Sequence, residues 1–251
     1  MAGRLDGATA LVTGASSGIG EASALALAAE GARVALVARR RDRLEALAER
    51  IGGGAIVIEA DVTVPEQAAD AVARTVEAGG RLDVLLANAG VMLLGPAVGA
   101  PLEEWDRMVA LNVQGVLHTI HAALPHLLDA AATSPRGVSD LAIVSSTAGR
   151  AARSGSAVYN LTKSGVGAFA EALRQEVTRR HVRVGLIEPG ATATELRDHL
   201  RPEQRAAQAK RFETMEPLQP EDVAEGVAYM VTRPRRQAIS ELTMRPTEQE
   251  G

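Results

Sequence analysis

The chain of 251 residues contains no cysteine. That single absence excludes disulfide frameworks, thiolate metal sites and cysteine nucleophiles. Aromatic residues make up only 2% of the composition, too few for a platform on which unpaired bases would stack, and the net charge of −4 comes without a basic stripe. Nucleic acid is therefore not an expected partner. No run of about eighteen apolar residues occurs, and the opening MAGRLDGATALVTG lacks an apolar core of signal-peptide length. The expectation is a cytoplasmic protein with no membrane partner. His118, His121 and His126 lie along one helical stretch, the first two at i, i+3 spacing, but without cysteine or a nearby carboxylate cluster they form a poor ligand set. No metal is expected, and surface or subunit contact is the reading for these histidines.

What the chain does have is a series of short apolar runs separated by helix-patterned stretches and no linker: ATALVT, ARVALVA, AIVIEA, DVLLANA, LAIVSS, VRVGLIEP and ISELTM. Continuous apolar strands alternating with helices imply an α/β fold, a doubly wound parallel sheet covered on both faces. A length of 251 residues suits one such domain spanning 1–251. Ligands in these sheets bind beyond the carboxyl ends of the strands. Gly14, Arg39, Asp61, Asn88, Ser146 and Pro189 fall at or just after successive strand ends, a convergence that packing does not explain.

The first of these ends opens the turn TGASSGIG, followed by the Ala- and Leu-rich stretch Glu21 to Glu30. Strand, glycine turn and helix form the context in which a pyrophosphate approaches backbone closely and meets the free N–H groups of a helix N-terminus. Ser16 and Ser17 add hydroxyl donors. At the second strand end, an acidic residue would bond the adenosine ribose hydroxyls of NAD, whereas arginine accommodates the 2′-phosphate of NADP. Here Arg39, Arg40 and Arg41 precede the first carboxylate, Asp42. Arg39 and Arg40 stand nearest the strand and are the expected phosphate ligands; Arg41 and Arg43 read as the solvated start of a helix.

Further along, Tyr159 and Lys163 are four residues apart in AVYNLTKSGVGAFAEAL, a spacing that puts both on one helix face. Holding a phenol ionised near neutrality requires about three pKa units, or about 4 kcal/mol. One ammonium about 4 Å away supplies about that much at an effective dielectric near 20. The pair is of the right size for proton transfer.

Taken together these residues resemble the short-chain dehydrogenase/reductase family along nearly the whole chain. Thr13 to Gly20 matches its cofactor turn, Asn88-Ala89-Gly90 its motif after the fourth strand, and Asn112 its helix asparagine. Ser146, Tyr159 and Lys163 match its catalytic core, and Pro189-Gly190 with Thr192 and Thr194 its nicotinamide-side loop. ARRRDRLEAL, VMLLGP, IEPGATATEL and ELTMRPTEQ are similar to the branch containing clavulanic acid dehydrogenase and the 3-hydroxy acid dehydrogenases. The resemblance implies a Rossmann fold and an NADP(H)-dependent oxidoreductase that interconverts a carbonyl and an alcohol.

In that reading Tyr159 is the acid/base, Lys163 lowers its pKa and bonds the nicotinamide ribose, and Ser146 holds the reacting oxygen, with Ser145 the competing candidate turned into the sheet. Asn112 would hold a water that joins the lysine to solvent, although an isolated helix asparagine also serves as a kink or cap. Gly14, Ser16, Ser17, Gly18, Ile19 and Gly20 would hold the pyrophosphate, and Asp61 with Val62 would face the adenine. Asn88, Ala89, Gly90, Pro189, Gly190, Thr192 and Thr194 complete the cofactor site. Ala87 stands where the family often has a further asparagine, which removes a polar group from the adenosine side, and the longer stretch Ala131 to Asp140 is expected on the surface.

Met92, Leu93 and Leu94 are either core or walls of an apolar substrate pocket. The segment 191–218, with its Arg-rich amphipathic part from Glu195 to Met215, reads as a mobile lid over a small carbonyl or alcohol substrate. Two alternatives stand beside the oxidoreductase: a catalytically silent NADP-binding sensor, and an epimerase or dehydratase of the same family. The long stretches Trp105 to Leu128 and Ser156 to Val177 carry more apolar and small residues than one sheet face covers, which favours a homo-oligomer, a tetramer first and a dimer second.

Overall fold

The computed structural model describes residues 3–212 and 215–250, the side chains of residues 210–212 excepted. Among these residues the strands are β1 Thr9–Thr13, β2 Arg33–Ala38, β3 Ile56–Glu59, β4 Val84–Ala87, β5 Ser139–Val144, β6 Val182–Pro189 and β7 Glu241–Met244. They form one parallel sheet in the order β3-β2-β1-β4-β5-β6-β7, in which the chain starts in the middle, runs to one edge, crosses back and runs to the other. This is the doubly wound, Rossmann-like arrangement that the strand pattern implied. β1, β4, β5 and β6 are buried along their whole length, because helices cover both sides.

The helices are α1 Gly18–Ala29, α2 Arg41–Ile51, α3 Pro65–Gly79, α4 Leu102–Val109, α5 Val116–Thr133, α6 Ala157–Val177, α7 Pro202–Phe212 and α8 Pro220–Val231. On one face Val72 of α3, Ile120 and Leu127 of α5 and Val166 and Leu173 of α6 pack on Leu11, Leu85 and Leu141. On the other, Leu27 of α1, Leu44 of α2 and Val223 and Val227 of α8 pack on Val12, Val84 and Leu86. The residues Leu85 and Leu86 go to opposite faces because side chains alternate along a strand.

Register sets the functional edge. Val12 is opposite Leu86, which brings Gly14 and Asn88 level beyond the strand ends. Thr13 fixes this junction: its Oγ1 accepts from the backbone N of Asn88 at 3.0 Å and of Ala89 at 3.1 Å, and Asn88 Nδ2 donates to the Thr13 carbonyl at 3.0 Å. Ala87 is 1% exposed and packs in the core, so the asparagine it replaces costs the adenosine side nothing.

The stretch from Trp105 to Leu128 is not one uniform helix. α4 and α5 are joined by a π-helical turn, Ala110–Gly115, a form that recurs at functional sites and here carries Asn112.

The stretch Ala131 to Asp140 is not wholly on the surface. Ala131 completes the buried face of α5, and Ser139 and Asp140 open β5 inside the sheet. Asp140 is 3% exposed and anchors a polar cluster at the edge opposite the functional one. It accepts from Arg183 Nε at 2.7 Å and Nη2 at 3.0 Å, and from Arg136 Nη2 at 2.7 Å. Arg183 also donates to the carbonyls of Val231, Arg233 and Gln237, which ties the end of α8 and the loop after it to the sheet.

Candidate active site

A cavity of about 420 Å³ lies beyond the carboxyl ends of the strands. Its floor is the glycine turn between β1 and α1. Gly14 has φ +68, and a Cβ there would fall 2.9 Å from both Ala89 Cα and Asn88 Nδ2. Gly20 does not face the cavity; a Cβ on it would stand 2.3 Å from the Gly14 carbonyl oxygen, so its role is to let α1 pack against the turn. Ser17 caps α1 without a side-chain hydrogen bond, leaving the first N–H groups to the cavity. Ser16, Ser17, Gly18 and Ile19 line this floor.

The arginines after β2 divide. Arg40 turns back onto the floor, donating to Ser16 Oγ from Nε at 3.1 Å and Nη2 at 2.9 Å, and to Ser17 Oγ from Nη2 at 2.8 Å. Arg39 instead leans to the far wall, where its Nη1 is 3.6 Å from Asp61 Oδ2. Burial would raise the Asp61 carboxyl, but hydrogen bonds from Thr63 and the charge of Arg39 outweigh it and hold the group below its ordinary value. Arg41 pairs with Glu45 on the surface, as expected of a helix start. Arg43 stays exposed to solvent, and its Nη1 also donates to Glu195 Oε1 at 2.6 Å.

Val62 lines the wall beyond Asp61, and its carbonyl lies 3.2 Å from His118 Nδ1. That places His118 behind the site. Among the described residues no group of histidines and carboxylates is arranged to hold a metal. Asn88, Ala89 and Gly90 line the middle of the cavity, and Pro189, Gly190, Thr192 and Thr194 its opposite side.

Tyr159 and Lys163 share one face of α6 and are 6% and 7% exposed. Lys163 Nζ donates to the Val144 carbonyl at 2.8 Å and lies 5.9 Å from the centre of the phenol ring. Burial pushes the phenol up to about 12, opposed by a hydrogen bond with Ser146, and pushes the ammonium down to about 8. The expected lowering of the phenol by the lysine is thus not what this arrangement gives. Desolvation of both groups outweighs an attraction across this distance.

Ser146 Oγ accepts from Ala148 N at 3.1 Å and donates to the Pro189 carbonyl at 3.4 Å, facing the cavity beside Tyr159. Ser145 Oγ donates to the Lys163 carbonyl at 3.0 Å, which uses it to hold β5 against α6.

Asn112 is 1% exposed and does not line the cavity. Its Oδ1 accepts from Val91 N at 2.8 Å, and its Nδ2 donates to Val91 O at 2.8 Å and Thr162 Oγ1 at 3.2 Å. These bonds clamp the loop after β4 to α6.

Met92 and Leu94 are cavity walls, while Leu93 packs in a small core with Val91, Met108 and Tyr159. The stretch after β6 forms a 3-10 turn, Glu195–His199, and then α7. Arg201 Nε pairs with Glu104 Oε1 at 3.0 Å, which seats this stretch against α4. The expected lid, 191–218, includes residues 213 and 214, which lie outside the described residues.

Among the cavity residues that the sequence reading did not single out are Gln249, Asn160 and Glu195. Gln249 Oε1 accepts from Ala191 N at 2.8 Å, and Asn160 pins the loop 148–156 by donating to the carbonyls of Ala148 and Ala151. Glu195 bonds Arg40 as well as Arg43. The i+1 position of Asn160 beside Tyr159 was a signal; nothing local marks Glu195 or Gln249, whose partners are distant in sequence.

The turn, the arginine after β2 and the wall at Asp61 and Val62 fit a nicotinamide dinucleotide, since Gly14 and Gly18 take left-handed backbone in the turn and the first N–H groups of α1 are left to the cavity. Comparison with known proteins agrees. A family model described as short chain dehydrogenase matches residues 8–205. Glycine betaine reductase of Emericella nidulans is 36% identical over 250 residues, 98% of this chain but only 19% of that protein. Among solved structures, the 3-ketoacyl-(acyl-carrier-protein) reductase from Brucella melitensis complexed with NADH superposes with a TM-score of 0.85 at 31% identity, covering 96% of this chain and 98% of its own. The closed form of a serine dehydrogenase complexed with NADP+ gives 0.88 at 30%, covering 97% and 96%. The chain belongs to the short-chain dehydrogenase family of oxidoreductases.

Proposed function

We propose that the protein is an NADP(H)-dependent oxidoreductase that interconverts a small carbonyl compound and its alcohol. The observation that carries this reading is that Ser146, Tyr159 and Lys163 line one cavity with Arg40, whose guanidinium is clasped by Ser16 and Ser17. When bound, the cofactor supplies or accepts a hydride. Tyr159 carries its proton at neutral pH as an ordinary phenol does, and burial favours that neutral form further, so it is poised to donate to a carbonyl oxygen. Ser146 Oγ holds the same oxygen, and the Lys163 ammonium on the same helix face stabilises the phenolate left behind. Asn112 positions these groups through Val91 and Thr162. A sensor without catalysis has no use for this set. The similarity to the branch with clavulanic acid dehydrogenase and 3-hydroxy acid dehydrogenases makes aldehydes, ketones and 3-oxo acids the first substrates to assay.

The two solved relatives carry NADH in one case and NADP+ in the other, so the choice of cofactor rests on this chain's own residues. A hydrogen bond to a charged group contributes about 1.5–3 kcal/mol, so Arg40→Ala should weaken NADPH binding by about ten- to a hundredfold. NADH affinity should change little, and Arg39→Ala should have the smaller effect because Arg39 faces Asp61. Titration of both cofactors by fluorescence checks this; unchanged NADPH affinity in Arg40→Ala would overturn the assignment.

No helix among the described residues is long and apolar enough to cross a membrane, which supports a cytoplasmic enzyme. We infer a homotetramer. Leu161 is 64% exposed on α6, Leu102 62% exposed at the start of α4, and β7 presents a sheet edge. Sedimentation at micromolar concentration should show a multiple of the 26.2 kDa chain, and a single species at that mass would rule the proposal out.

A further inference from the structure

Two arginines at the start of α2, one of them Arg40 on the cofactor floor, are already occupied from within the chain. Glu195 opens the 3-10 turn after Thr194, 155 residues away in sequence from Arg40. Its Oε2 accepts from Arg40 Nη1 at 2.9 Å and its Oε1 from Arg43 Nη1 at 2.6 Å. We propose that Glu195 is a specificity-determining residue for the cofactor: its carboxylate sits on the Arg40 guanidinium that a 2′-phosphate would use and thereby lowers the preference for NADP(H) over NAD(H). This rests on Arg40 being the 2′-phosphate ligand.

The direction of the effect follows from how Arg40 is held. Its Nε and Nη2 are fixed on Ser16 and Ser17 independently of Glu195, so the carboxylate is not needed to aim the guanidinium at the floor of the site. What Glu195 contributes is charge. The hydrogen bonds from Arg43 and Arg40 keep its carboxyl down at about 2, so it is an anion at any ordinary pH. A phosphate brought to Arg40 must displace that anion or share the arginines with it, and like charges at one site repel. An adenosine ribose with free hydroxyls meets no such opposition. Glu195, Arg40 and Arg43 are each between 42% and 44% exposed, so solvent screens the repulsion and the effect is moderate rather than absolute.

The fold, not the local sequence, delivers the carboxylate. Thr194 Oγ1 caps the turn by accepting from Leu196 N at 3.3 Å, and Leu200, 4% exposed, anchors its far end. Glu195 is thus presented to the start of α2 by a stretch fixed at both ends.

The test is calorimetric titration of the wild type, Glu195→Gln, Arg40→Ala and the double variant with NADPH, NADH, 2′,5′-ADP and 5′-AMP. Glu195→Gln should tighten NADPH and 2′,5′-ADP by about tenfold, a change of about 1.4 kcal/mol. NADH and 5′-AMP should stay within about twofold, and the gain should vanish when Arg40 is also removed. A variant that had merely disturbed the turn would move all four ligands together. Unchanged or weaker NADPH binding in Glu195→Gln, in a protein whose NADPH preference is lost in Arg40→Ala, overturns this inference and leaves the cofactor assignment standing. If neither substitution changes the balance between phosphorylated and unphosphorylated ligands, both fall. If the wild type shows no preference and Glu195→Gln acquires one, the masking role of Glu195 is supported in its strongest form.

Discussion

Tyr159→Phe should lower turnover on any accepted carbonyl by about 10²- to 10⁴-fold, the range set by loss of a positioned proton donor. The substitution removes one oxygen from a side chain that is 6% exposed and packs with Val91, Leu93 and Met108, so the ring stays in place. Affinity for NADPH should be nearly unchanged, because the cofactor floor is built by the glycine turn, Ser16, Ser17 and Arg40 rather than by the phenol. Lys163→Ala differs. It removes the donor to the Val144 carbonyl at the end of β5, so it should impair both turnover and cofactor binding. Steady-state assays with NADPH and a carbonyl panel, alongside cofactor titration, separate the two. A phenylalanine variant that kept a tenth or more of wild-type activity would show that another group is the acid.

Asp140→Ala should cost about 3–5 kcal/mol of stability, the usual result of removing one partner of a buried ion pair. Arg183 would keep its bonds to the carbonyls of Val231, Arg233 and Gln237 but lose its only carboxylate among the described residues. Against a total of about 5–15 kcal/mol that is a large fraction, and it should appear as a shift of the urea midpoint. Replacing all three charges together, as Asp140→Leu with Arg136→Met and Arg183→Met, should recover much of the loss, because apolar side chains leave no unpaired charge behind. Activity of the folded protein should be untouched, since Asp140 begins β5 and the site lies beyond the strand's other end. A loss below about 1 kcal/mol in Asp140→Ala would mean the cluster is solvated in practice.

Every strand was readable as a short run with the right ends to within two residues, and β1, β4, β5 and β6 most directly, because strands buried on both faces leave continuous hydrophobic stretches. The site residues that follow strand ends, from Gly14 to Pro189, were readable for the same reason: in a parallel sheet of this kind all carboxyl ends share one edge. Tyr159 and Lys163 were readable through a four-residue spacing that any helix imposes.

The remainder depended on contacts between distant segments. Which of two adjacent arginines turns to the floor was decided by Ser16 and Ser17, 24 and 23 residues away. Whether Ala87 faces the cavity or the core was decided by the alternation of β4 within the sheet. The pKa balance of Tyr159 and Lys163 was decided by burial, which spacing does not report. Sequence periodicity by itself determined the sheet, its order of helices and strands, and the edge where chemistry would gather, since these follow from local pattern and chain direction. Only the tertiary structure decided which charges meet across that edge, above all Glu195 with Arg40 and Arg43, because an ion pair between residues about 150 positions apart exists only once the sheet has brought their loops together.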